Sequence, residues 1–118
     1  MRARMRSRDK NAAAMMLTDI LPQLALELEQ LLKEHEESQL AAQVSTLAIV
    51  DRCRCGDDFC ASFYTQPKPK GAYGPNHRCL DLDAENGMIV IDVVSDVIAH
   101  VEVLNRDDVR KRLTAVFP

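Results

Sequence analysis

Aromatic residues make up only 4% of this chain, and glycine and proline together number nine. So few glycines and prolines exclude a collagenous or low-complexity disordered protein. No apolar run approaches the ~18 residues that a membrane-spanning helix requires. There is no G-x-x-x-x-G-K-[ST] phosphate loop, no Cys-x-x-Cys knuckle and no internal repeat. The apolar core of a secretory signal is also missing, which points to a cytoplasmic chain with reduced thiols. At 118 residues the chain is too short for separate cofactor and substrate domains. It suits one domain that buries roughly two thirds of the surface its unfolded form exposes. A disulfide framework is unnecessary at that size.

The charge that is present is unevenly spread. Residues 1–10 hold Arg2, Arg4, Arg6, Arg8 and Lys10 against Asp9, a balance of +4, and the rest of the chain carries −7 within the overall −3. That reads as a flexible basic arm over residues 1–14, followed by one domain over residues 15–118. A basic arm can reach nucleic acid or an anionic surface. The acidic body excludes a nucleic-acid footprint over the whole molecule.

Leu17, Ile20, Leu21, Leu24, Leu28, Leu31 and Leu32 recur at three- and four-residue spacing, predicting a helix from Met16 to about His35. Thr18 or Asp19 is the expected cap, with Pro22 in the first turn and a frayed acidic end at Glu34, Glu36 and Glu37. Five strands follow: Leu47–Arg52, Phe59–Thr65, His77–Asp83, Met88–Val94 and Val97–Leu104. The expected arrangement is a mostly antiparallel meander. A three-residue connection between the last two strands would place Asp92 and His100 on one face as an acid–base pair, and a two-residue connection would separate them. An outer face leaving Val90, Ile98 and Leu104 uncovered would favour a homodimer. A short helix capped by Asn105 buries Val109, Leu113 and Val116. The fold class is therefore α+β: an N-terminal helix, about five strands and a C-terminal helix.

Four cysteines are the most pointed feature. They stand as Cys53-Arg54-Cys55-Gly56-Asp57-Asp58-Phe59-Cys60 and His77-Arg78-Cys79. Cys53 and Cys55 share a strand face, as do His77 and Cys79, and Cys60 lies across the proposed turn. Three thiolates with His77 or Cys79 would make the ligand set of a tetrahedral zinc ion. Buried reduced thiols, and a redox pair between Cys55 and Cys60, are the competing readings. The Cys-x-Cys followed by a distant pair resembles the SWIM-type zinc finger, which closes with Cys-x-His where this chain has His77-x-Cys79. The stretch from Asp51 to Thr65, with Gly71–Pro75 and the last hairpin, resembles short bacterial proteins of unassigned function. That resemblance implies a bacterial cytosolic protein and carries no catalytic residues.

The loop Gln66–Asn76 contains three of the five prolines and forms a second candidate site. Lys68, Lys70, Tyr73 and Arg78 in or beside it could bind an anion or nucleic acid. No nucleophile, base and orienting group fall into an evident catalytic pattern. The expectation is a non-enzymatic binding or protein-interaction domain without a cofactor. The alternatives are a zinc-binding module, and anion or nucleic-acid binding through the arm and loop 66–78.

Overall fold

A computed structural model describes residues 15–118. The basic arm over residues 1–14 lies outside the described residues. The chain is mixed helix and strand, as its periodicities require. A two-residue strand β1 (Met15–Met16) leads into α1 (Leu17–Ile20) and α2 (Pro22–Glu34), then α3 (Ser38–Gln43) and a 3₁₀ turn (Val44–Thr46). Strands β2 (Ala48–Ile49), β3 (Asp51–Arg52), β4 (Phe63–Tyr64), β5 (His77–Asp81), β6 (Met88–Val94) and β7 (Val97–Leu104) precede α4 (Asp107–Val116).

The long N-terminal helix is broken at Leu21, because Pro22 offers no N–H to continue the ladder and instead occupies the first position of α2. No side-chain cap starts either segment, so neither Thr18 nor Asp19 has the expected role. The acidic end is closed rather than left open. Glu36 takes a positive φ, Glu36 N–H donates to Lys33 O, and Glu37 N–H donates to Leu32 O. Asn105 also adopts a positive φ, and Arg106 precedes α4 without a side-chain cap.

Two antiparallel sheets form, a two-stranded one from β1 and β2 and a five-stranded one ordered β3-β4-β7-β6-β5. The expected simple meander is thus replaced by a Greek key, since β4 lies beside β7 rather than β5. Loop 65–76 makes the return across the sheet. The predicted strand Leu47–Arg52 divides between the two sheets, and Phe59–Thr65 pairs continuously only at Phe63–Tyr64, with Cys60 bridged to Leu104.

Ser95 and Asp96 connect β6 and β7 as a two-residue turn, both at positive φ. Such a connection alone would put Asp92 and His100 on opposite faces. They face each other nevertheless, because the register shifts after Asp92 and Ala99 is left as a bulge. The turn itself pairs Ile98 with the buried Val93, which places Ile98 fully inward rather than on the expected outer face and leaves Val97 exposed. With Ile98 buried, the uncovered patch expected of Val90, Ile98 and Leu104 does not form.

The inner face of the sheet packs Phe63, Ile89, Ile91, Val93, Ile98, Val101 and Val103 against Leu17, Leu24, Leu28 and Leu32 of the helices. Phe63 and Ile91 are fully buried, and Phe63→Ala should cost about 3–5 kcal/mol in urea unfolding by removing a core aromatic. Gly87 has φ +66°, and a Cβ there would stand 2.3 Å from Leu104 O. Gly87→Ala is therefore expected to lower stability by more than ~1 kcal/mol in the same assay.

Candidate metal centre and the outer face of the sheet

The segment 53–62 bulges from the β3–β4 hairpin at one corner of the sheet. Its ends are tied by Cys53 N–H donating to Ser62 O at 2.8 Å, and Gly56 turns the chain with φ +88°. Cys60 N–H closes a tight turn onto Asp57 O, and Asn105 N–H donates to Phe59 O. These bonds, with the Cys60–Leu104 bridge, anchor the returning limb to the end of β7. As a result the sulfurs of Cys53, Cys55 and Cys60 all lie within 4.8 Å of one another. All three cysteines are free; Cys55 is exposed and the other two are half-buried. A zinc ion with Zn–S bonds of ~2.3 Å holds tetrahedral sulfurs ~3.8 Å apart, so the group can close on a metal by small side-chain movements.

A residue not anticipated from sequence supports this group. Ser62 is buried, and its Oγ accepts the Val103 N–H at 2.9 Å. The same oxygen lies 3.4 Å from both Val103 O and Cys60 Sγ. The Ser62 hydroxyl accepts from Val103 N–H and keeps its own proton, which it can direct to Val103 O or, when Cys60 is ionised, to the thiolate. The only trace in sequence is the two-residue alternation of Cys60, Ser62 and Tyr64, which puts them on one face. Burial works to raise the pKa of Cys60, but hydrogen bonds from the Ser62 hydroxyl and N–H, and from the Cys55 and Cys53 thiols, hold it below the ordinary thiol value. Cys53 moves the other way. Burial first, then its thiol contacts and the neighbouring Cys60 charge, push it up to about 11 against a favourable Cys55 N–H bond.

The fourth ligand expected from His77 or Cys79 is not brought to this group. β3 and β5 are opposite edges of the five-stranded sheet, four strand spacings or roughly 19 Å apart. His77 and Cys79 belong instead to a polar row on the outer face. Paired positions place Asp51, Tyr64, His100, Asp92 and Cys79 side by side across all five strands. His77 Nε2 lies 2.7 Å from Asp92 Oδ1 and His100 Nδ1 lies 2.9 Å from Asp92 Oδ2, so one carboxylate receives two imidazoles. His100 Nε2 is buried with no partner among the described residues. Burial, then the Asp92 charge and hydrogen bond, raise the Cys79 pKa and keep that thiol protonated at neutral pH.

Loop 65–76 lies over this row. Thr65 and Gln66 N–H both donate to the bulged Ala99 O, which fixes where the loop begins. Lys68 Nζ stands 5.9 Å from the Tyr64 ring centre, and Tyr73 packs on His77 with ring centres 4.7 Å apart. The expected anion set of Lys68, Lys70, Tyr73 and Arg78 is not gathered. Arg78 makes a bidentate ion pair with Glu37 of the helical layer, both bonds at 3.0 Å, and Lys70 is exposed. Two clefts flank the loop: one of about 470 Å³ beneath Pro67, Pro69 and Tyr73, and one of about 430 Å³ lined by Arg52, Arg54, Tyr64 and Lys68.

Comparison of the chain with protein families, curated proteins and solved structures finds no match. No helix among the described residues is long and apolar enough to cross a membrane.

Two outcomes follow for the metal-free protein. Thiolate absorbance against pH should show Cys60 ionising below the ordinary thiol range and Cys53 last, at about 11. Ser62→Ala should move the early ionisation upward. It should also cost about 1–3 kcal/mol in denaturant unfolding, because the Val103 N–H is left buried without an acceptor.

Proposed function

We propose that this chain is a small non-enzymatic metal-binding module in which Cys53, Cys55 and Cys60 hold a zinc ion. The observation that carries the reading is the convergence of three sulfurs to within 4.8 Å on a segment pinned at both ends. Thiolate ligands suit a thiophilic ion, and the Ser62 hydroxyl beside Cys60 supplies the outer hydrogen bond that orients a ligating sulfur. No other His, Cys, Asp or Glu atom among the described residues joins the group. The fourth tetrahedral position is therefore open to water or to a donor from a binding partner, as zinc with three protein ligands requires. The ion stabilises the corner of the sheet rather than the whole fold, since the buried apolar core does not include the cysteines.

Protein purified without chelator should contain about one equivalent of zinc by elemental analysis. Cobalt(II) added to the metal-free protein should give sulfur-to-metal charge-transfer bands. Cys60→Ser should abolish both signals and Cys79→Ser should leave both intact. Affinity should fall as pH is lowered, because each thiol must lose its proton to bind. Metal-free protein after purification, with no cobalt–thiolate band, would overturn the reading.

A further inference from the structure

The five-stranded sheet ends in two unlike edges. β3 is two residues long, whereas β5 runs five residues in unbroken register and contains no proline or lysine. Natural edges are usually blunted by such residues, by bulges or by shortness. Ser95 N–H donates to Asn76 O and Leu82 N–H donates to Ile89 O, so the even-numbered residues from 76 to 82 exchange hydrogen bonds with β6. By antiparallel alternation, the N–H and C=O groups of His77, Cys79 and Asp81 point away from the sheet. No hydrogen bond among the described residues uses them. All three residues are exposed. Arg78, which could have guarded the edge with a free charge, is neutralised by Glu37.

We propose that β5 pairs with β5 of a second copy of this chain, joining two five-stranded sheets into one across a two-fold axis. Charge selects the direction. The edge begins with His77 and ends with Asp81 and Asp83, so antiparallel pairing sets Asp81 beside His77 of the other copy and keeps the carboxylates of the two copies apart. Parallel pairing would set like beside like. Hydrogen-bond parity then selects the register. Only outward-facing residues can exchange bonds, and centring the axis on Cys79 uses all three: Cys79 faces Cys79, and His77 faces Asp81 of the second copy. Centring on Arg78 or Leu80 uses only two. The interface is isologous and short, so the dimer is concentration-dependent.

Sedimentation velocity of the full chain in chelator and reductant tests this, because neither metal nor a disulfide can then link copies. The wild type should pass from monomer to dimer between about 1 µM and about 1 mM. Cys79→Ser should do the same. Cys79→Lys, which opposes two ammonium groups at the axis, should remain monomeric. Cys79→Pro should also remain monomeric, and it removes only an outward N–H, leaving the β5–β6 bonds in place. Both variants should keep the dilute wild-type unfolding midpoint. A wild type that stays monomeric throughout, or a dimer that survives both substitutions, overturns the proposal. Either result leaves the metal reading untouched, since Cys79 lies at the opposite edge from the three-cysteine group.

Discussion

One extra residue in β7 sets the two faces of this sheet. If Ala99 were paired regularly with Asp92 instead of bulging, every side chain beyond it would fall on the wrong side, burying His100 and exposing Val101 and Val103. With the bulge, Ile98 and Val101 both point into the core and His100 faces Asp92 on the outside. The carbonyl that the bulge frees is not left unpaired. It accepts two N–H groups from Thr65 and Gln66, so the device that corrects the faces also anchors the proline-rich loop.

From β7 the rest of the outer face follows. Its middle supplies His100 to the polar row, and its far end holds the cysteine segment through Val103, Leu104 and Asn105. The three-cysteine group and the His–Asp–His row are therefore separate features sharing one strand, placed toward different edges. Their surroundings differ accordingly. At the corner, hydrogen-bond donors converge on the Cys60 sulfur and favour its charged form. Along the row a single carboxylate is shared by two imidazoles and lies beside a thiol whose ionisation it opposes.

The helical layer contributes indirectly. The closed end of α2 presents Glu37 to Arg78, joining the helices to the inner side of the β5 edge. A second ion pair, Arg106 with Glu27 at 2.6 Å, joins the start of α4 to α2. Both are charged contacts between elements distant in sequence. Glu37, one of the acidic residues that read as a frayed helix end, thus has a structural partner.

Much of the architecture was legible from local pattern. The leucine spacing of the first helix, the alternation of β6 and β7 and the stripe of Val109 and Leu113 follow from burial at periods of 3.6 and 2.0, which neighbouring residues alone dictate. The proximity of Cys53, Cys55 and Cys60 was legible for the same reason, being contained in one hairpin. What the tertiary structure decided is everything that depends on strand order and register. No local signal places β4 beside β7, so none separates His77 and Cys79 from the other cysteines by the width of the sheet. Ala99 has no property that marks it as a bulge; that choice belongs to the core, which takes Val101 and Val103 inward and leaves His100 on the outer face. Ser62 became part of the site only because a distant strand, β7, offered it Val103. The chain itself determined which segments are helix or strand and which cysteines are neighbours, because those are short-range consequences of side-chain type. Pairing of distant strands determined which groups share a face, because a one-residue change of register inverts every side chain beyond it.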